Sequence, residues 1–242
     1  MFSPQSIKNI FLKETPSTQT FAKQFYTTFD PNQITIVVAE KQTAGFGRFQ
    51  RKWISSLEDI AATFYFQLPS TINHLSSLTQ IMSLTLAEIL TEKKLFPEIK
   101  WPNDVLLSKK KLAGILCETI ITSEITHIFL GIGINVNSVH TTIDKPATSL
   151  KTETETIHDK KQLLFRLQQL FFRNLNIFLQ NGFSSFLKQL NNFLPKENIV
   201  LFDGQNFYEG KPFLTDTGAL KLKLSSGKSK IFYAGDTSFP NF

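Results

Sequence analysis

The sequence predicts an α+β fold in which a mixed-sheet unit is followed by a small β-barrel. Three observations carry this. Helical and strand patterns occur without strict βαβ alternation, which disfavours a doubly wound parallel sheet. Two stretches, 75–94 and 159–180, place apolar residues at helical spacing. Beyond Pro195 only short strands and turn signals remain, over about fifty residues, too few for a very stable core of their own. A chain of 242 residues, 41% hydrophobic and 19% charged, fits this division, with expected domains at 1–195 and 196–242.

Each element has a local reason. Residues 11–13 read as a short strand, and Pro16-Ser17-Thr18 as a turn and helix start, Ser17 being a favoured N-cap. The segments 34–39 (ITIVVA) and 61–68 (AATFYFQL) are β-branched or aromatic enough to be strands, with a polar loop, 40–59, between them. Leu75, Leu78, Ile81, Met82, Ile89 and Leu90 line the apolar face of an amphipathic helix. Short strands follow at 98–101, 105–108, 111–121 and 126–136, and the polar run 151–161 reads as an exposed connection. In the second helix Leu163, Leu164, Leu167, Leu170, Phe171, Leu175 and Phe178 share a face, and Gly182 ends it. Turns are expected at Asp203-Gly204, Asp216-Thr217-Gly218 and Ser225-Ser226-Gly227.

Composition excludes several classes. The single Cys117 allows no internal disulfide and no cysteine-based metal cluster, and it suits a reducing, cytoplasmic compartment. The N-terminus lacks an apolar stretch of signal-peptide length, and no membrane-spanning run occurs, so neither export nor a membrane partner is expected. The net charge of +6 comes mostly from Lys; the four Arg are Arg48, Arg51, Arg166 and Arg173. Two of these scarce Arg, three apart in one loop, point to phosphate.

Three clusters carry candidate chemistry. In 42–53 (QTAGFGRFQRKW), Gly45 and Gly47 let backbone approach a ligand, and Arg48, Arg51 and Lys52 offer donors to phosphate oxygens; an exposed strand connection explains the segment equally well. In 100–104 (KWPND) and 109–116 (KKKLAGIL), Lys111 opens an apolar strand near Asn103 and Asp104, the latter a possible Mg²⁺ ligand; a turn and a solvated hairpin tip are the ordinary reading. In 131–137 (GIGINVN), Gly131 and Gly133 leave a backbone surface for a flat ligand, although a strand bulge accounts for them too. Gly227-Lys228-Ser229 lacks the earlier glycine of a phosphate loop. His74, His127, His140 and His158 show no metal spacing, and Cys117 alternates with apolar neighbours as a core residue does.

Taken together, in this order and spacing, these clusters resemble the biotin protein ligases. The marks are Ser17-Thr18, the 45–53 loop, KWPND, KLAGIL, GIGINVN, ATSL at 147–150, and a tail with Gly218-Ala219-Leu220 and Ala234-Gly235-Asp236, so the resemblance covers nearly the whole chain. It implies a biotin/lipoate ligase-like catalytic domain with an SH3-like C-terminal domain. The implied activity is formation of biotinyl-5'-AMP from biotin and ATP with Mg²⁺, then transfer to a lysine of the biotin carboxyl carrier protein of acetyl-CoA carboxylase. No tightly bound prosthetic group is implied. Lys111 would bridge the biotin carboxylate and α-phosphate, with Arg48 as its catalytic companion. Ser17, Thr18, Gln42, Gly45, Phe46, Gly114, Gly131 and Gly133 would complete the biotin site. Arg51, Trp53, Lys100, Asn103, Asp104 and Asn135 would serve ATP, the adenylate and its Mg²⁺.

The loop departs from the family's Gly-Arg-Gly-Arg-x-Gly-Arg-x-Trp: Phe46 replaces the first Arg and Gln50 the last Gly. Gln50 should stiffen the loop and favour its closure, provided its φ is negative. A basic residue that some relatives carry just after the segment matching 236–238 is also missing; Pro240 stands near that place. Because sixteen residues precede Ser17, a stand-alone ligase without sequence-specific DNA binding is expected, as monomer or homodimer. Two other functions are weighed. A lipoate or octanoate transferase of related fold lacks support in the KLAGIL context. A nucleic-acid-binding protein, suggested by Lys221, Lys223, Lys228 and Lys230, leaves the first two clusters unexplained.

Overall fold

A computed structural model describes residues 4–139 and 146–240. Of the histidines, His140 lies outside the described residues. The β-branched and aromatic segments form a seven-stranded sheet in the order β1-β2-β3-β7-β6-β5-β4. Its strands are β1 (Ser6–Thr15), β2 (Gln33–Gln42), β3 (Ile60–Pro69), β4 (Glu98–Lys100), β5 (Asp104–Leu107), β6 (Lys110–Ile121) and β7 (Ile125–Ile134). The β1–β2 pair is parallel, joined through helix α1 (Thr18–Phe25), and the other pairs are antiparallel, so the sheet is mixed as expected. The first strand is longer than 11–13, because register with β2 recruits polar residues that carry no strand signal alone.

Helix α2 (Ser77–Glu92) is buried on nearly every side, not amphipathic. It is packed among the sheet, helix α4 (Lys160–Asn181) and α5 (Leu187–Phe193). Its polar residues tolerate this because their hydroxyls bond back into the helix: Ser83 donates to the Thr79 carbonyl at 2.9 Å and Thr85 to that of Ile81 at 2.8 Å. The run 151–161 is not all connection. Ser149 caps a short helix α3 (Leu150–Thr154) that buries Leu150, and Asp159 caps α4 through Lys161 and Gln162 amides.

The C-terminal unit is a five-stranded antiparallel sheet, ordered β11-β10-β9-β8-β12. Its strands are β8 (Ile199–Phe202), β9 (Phe207–Leu214), β10 (Leu220–Leu224), β11 (Ser229–Phe232) and β12 (Asp236–Ser238); no ladder joins β11 to β12 among the described residues. All three expected turns fall between these strands. Leu201, Leu220, Leu222 and Phe232 share one apolar core with the larger sheet and α2. Polar ties complete the join: Gln80 Nε2 and Trp101 Nε1 both donate to the Gly218 carbonyl, at 2.7 and 3.1 Å.

Candidate active site

The C-terminal end of β2 and the start of α1 meet in a directed polar network. Ser17 caps α1, its Oγ accepting from the Gln19 amide at 3.2 Å. Both the amide and the hydroxyl of Thr18 donate to Gln42 Oε1, at 2.9 and 3.1 Å. With its carbonyl oxygen doubly engaged, Gln42 offers its amino group as a donor, next to Gly45, where an added Cβ would lie 2.9 Å from Nε2. The Thr63 hydroxyl reaches Thr18 Oγ1 at 2.9 Å and Gln19 Oε1 at 3.1 Å, and Gln19 Nε2 donates to the Phe129 carbonyl at 2.9 Å. Gly131 is required here by space: a Cβ would sit 2.7 Å from Gln19 Oε1.

Gly114 of β6 and Gly133 of β7 are register partners and make a bare floor. The indole of Trp53 lies on it, since a Cβ at Gly133 would come within 2.3 to 2.5 Å of the ring. Trp53 Nε1 is buried with no hydrogen-bond partner. The surface that the sequence offered to a flat ligand is therefore walled by an aromatic of the loop itself.

Lys111 stands beside this floor. Its ammonium pairs with Asp104 Oδ1 at 2.7 Å and lies 5.5 Å from the Trp53 ring centre. A Cβ on Gly114 would approach Lys111 Nζ to 3.0 Å, so glycine is what lets the ammonium rest along the strand. Asn135 supports the same place from below, donating to the carbonyls of Thr148 at 3.0 Å and Lys111 at 3.4 Å. Its amino group is thus spent on the chain.

The loop between β2 and β3 is pinned by Gly47 N–H to the Arg51 carbonyl at 2.8 Å and Trp53 N–H to that of Gly45 at 2.9 Å; Phe46 and Lys52 bridge across it. Phe49 and Gln50 have φ of 56° and 58°. The stiffening expected of Gln50 fails on this count, because it sits where glycine is favoured. Arg48 donates to Asn103 Oδ1 at 3.3 Å, the Gly235 carbonyl at 3.2 Å and Asp236 Oδ1 at 3.4 Å, and Arg51 to Asp236 Oδ2 at 2.6 Å. Phe49 lies between them, its ring centre 5.0 and 5.5 Å from the two guanidinium carbons.

Sequence reasoning thus named residues that do converge: Ser17, Thr18, Gln42 and Gly45 around the network, Trp53, Asp104, Lys111, Gly114 and Gly133 at the floor, Arg48, Arg51 and Asn103 at the loop. Lys100, the register partner of Asp104, also lines a crevice with Trp101, Pro195 and Phe239. It missed Gln19, Thr63 and Asp236. The one signal for Thr63 was a hydroxyl within the apolar run AATFYFQL, and only the structure sets it opposite Gly131. Asp236 stands in the tail motif Ala234-Gly235-Asp236 but carries no role there, because its partner Arg51 is 185 positions away. Burial pushes the Cys117 thiol up to about 12, although the residue is only half-buried and packs against the core rather than within it. Among the described residues no group of three or more His, Cys, Asp or Glu could hold a metal.

The glycine strip under Trp53, the Lys111–Asp104 pair and the arginine-bearing loop are thus brought together at one place in the fold. A sequence model of the biotin/lipoate A/B protein ligase family matches residues 11–135. The chain belongs to that family. It is 30% identical over 211 residues to the bifunctional ligase/repressor BirA of Salmonella typhimurium, a match covering 83% of this chain and 65% of that protein. With the biotin--[acetyl-CoA-carboxylase] ligase of Mycobacterium tuberculosis it shares 26% identity, over 83% of this chain and 77% of the relative. Its fold is similar to that of the biotin protein ligase from Aquifex aeolicus in complex with biotin and ATP, with a TM-score of 0.82 and 29% identity across 96% of this chain and 97% of that one. No helix among the described residues is long and apolar enough to cross a membrane.

Proposed function

We propose that this protein is an ATP-dependent ligase that activates biotin as biotinyl-5'-AMP and transfers it to a lysine of a biotin carboxyl carrier protein. One observation carries the reading: the Lys111 ammonium is held beside a glycine floor, under a loop whose arginines are already oriented. Activation brings a carboxylate oxygen onto the α-phosphorus and expels pyrophosphate, so two anions must meet. A point charge placed between them lowers that repulsion and stabilises charge on the transferring phosphorus. In transfer, the acceptor amine attacks the acyl carbon, loses its proton as the amide forms, and AMP leaves. The mixed anhydride survives until then only if water is excluded, which the closed loop and Trp53 provide. Gln42 and the Thr18–Thr63 hydroxyls supply the donors and acceptors that a cyclic urea needs. Arg48 and Arg51 serve the phosphate.

Asp104 does not fit a resident metal site, because its carboxylate is committed to Lys111 and, among the described residues, it belongs to no group of three or more His, Cys, Asp or Glu that could hold a metal. We read Asp104 as the residue that positions Lys111, and magnesium as arriving with the triphosphate. The C-terminal sheet, β8 to β12, is read as the SH3-like domain expected at 196–242. Incubation with ATP, Mg²⁺, labelled biotin and a carrier domain, with lipoate in parallel, tests the function. Label on the carrier from biotin is expected; label from lipoate alone, or none, refutes it.

A further inference from the structure

Lys111 stands on a face of its strand that a regular sheet would not give it. Residues three apart on a strand point to opposite faces, yet the Lys111 ammonium lies along Gly114, where an added Cβ would meet Nζ at 3.0 Å. The ladder supplies the reason. Asp104 is opposite Gly114 and Val105 opposite Ala113, but Leu106 is opposite Lys111, which leaves Leu112 as a bulge in β6. The extra residue turns Lys111 to the face that carries Gly114 and Asp104. Sliding β6 by one position to absorb it would send the ammonium to the opposite face.

That bulge is gripped from both flanks. On one side lies the two-residue turn Ser108-Lys109, which contains no glycine although its φ values are 49° and 61°. On the other, the Lys111 N–H donates to the Pro146 carbonyl at 2.9 Å and the Lys111 carbonyl accepts from the Thr148 N–H at 3.0 Å. Glu153 of α3 spans the two. Its Oε2 accepts from the Ser108 hydroxyl and its Oε1 from the Thr148 hydroxyl, each at 2.6 Å, the short separation of a hydroxyl bonded to an ionised carboxylate.

Resting on the ligase reading above, we propose that Glu153 is a positioning residue for Lys111. By tying the turn that precedes the bulge to the segment that pairs with Lys111, its carboxylate keeps β6 in the bulged register and the ammonium on the glycine floor, beside Asp104. It acts through the aim of Lys111 and binds neither substrate. Asp104 sets where the ammonium rests on the floor; Glu153 sets the face of the strand from which it starts.

The test uses the full chain with Glu153→Ala, Glu153→Gln, Lys111→Ala and the double variant that combines Lys111→Ala with Glu153→Ala. Pyrophosphate release is followed with biotin, ATP and Mg²⁺. In Glu153→Ala, kcat should fall about tenfold while KM for biotin stays at the parent value, because the reacting geometry is lost and the binding network is not. Glu153→Gln should restore kcat to within about twofold, since an amide can accept from one hydroxyl and donate to the other. In the Lys111→Ala background the second change should slow release no further, whereas a general loosening of the fold would slow both backgrounds alike. A parental kcat in Glu153→Ala overturns the proposal, as does an equal loss in the two backgrounds or a Glu153→Gln variant as slow as Glu153→Ala. Should Glu153→Ala not fold, the same readings on Thr148→Val, which removes one of the two bonds, decide the matter. If the parent itself releases no pyrophosphate with biotin, the ligase reading fails instead, so the two failures are distinct.

Discussion

Replacing Lys111 tests the mechanism and the architecture at once. Lys111→Ala removes the ammonium proposed to face both reactants, and loss of such a preorganised contact should slow pyrophosphate release by about 10² to 10³. It also strips Asp104 of its partner. The Asp104 side chain keeps only 15% of its exposure while that of Lys111 keeps 34%, so the pair is screened on one side only. A fully buried carboxylate left unpaired costs several kcal/mol; solvent at the lysine brings the expected loss nearer to ~1 kcal/mol. The second change Asp104→Asn should return most of that stability, because the orphaned charge is gone, while the rate stays low. Urea denaturation of the four proteins in the cycle gives the coupling, and pyrophosphate release gives the rate. Pyrophosphate release at the parent rate in Lys111→Ala would remove Lys111 from the mechanism. Zero coupling with Asp104 would remove the positioning role given to that carboxylate.

Three further outcomes follow from the geometry. Gly133→Ala should evict the Trp53 indole, which a Cβ would meet at 2.3 Å; with only two Trp in the chain, a red-shifted emission that disappears in a Trp53→Phe background identifies it, and unaltered emission contradicts the packing. At Gln50, whose φ is 58°, glycine should leave the loop at least as resistant to trypsin at Arg48 and Arg51 as it is now, whereas Gln50→Ile should be cut several-fold faster; equal rates for the two would show that φ does not matter there. Burial lowers the affinity of His127 for a proton, and its Nδ1 lies 3.0 Å from the Tyr65 hydroxyl, which Gln67 Nε2 reaches at 2.9 Å, so the neutral ring accepts a bond that the protonated ring cannot. With the folded value below the unfolded 6.5, the contribution is complete above 6.5 and is lost as pH falls from there to the folded value; His127→Gln should flatten that part of the stability curve.

Much of this was legible because periodicity reports burial, and burial shapes most elements. The strands at 34–39 and 61–68 are legible from β-branched and aromatic content suited to burial on both faces, and the helix at 159–180 from apolar residues repeating at helical spacing. Where the core surrounds an element, the signal misleads: α2 reads as amphipathic from its Leu and Ile spacing, yet Ser83 and Thr85 are buried with them. The 151–161 run looked like a linker because one apolar residue, Leu150, anchors α3 and lies just outside it. The site was legible where glycine and charge cluster in sequence. It was hidden where the partner is remote, as with Asp236, and where a polar side chain serves as scaffold, as with Gln19.

The arrangement also explains why the second sheet belongs to the site at all. Arg48 and Arg51 share one carboxylate, so two positive charges face a single negative one. Their guanidinium groups are held in place before any phosphate arrives, with the cost of orienting them met during folding, while part of their charge stays uncompensated. On the proposed ligase reading, an incoming anion would meet donors that need little reorganisation, which is the condition under which electrostatic stabilisation is largest. Had the arginines been tethered by two carboxylates, the anion would have to displace a full complement of charge. Had they been tethered by none, the loop would have to order itself around the ligand. One shared Asp236, delivered by a strand that the shared apolar core fixes against the larger sheet, lies between those extremes.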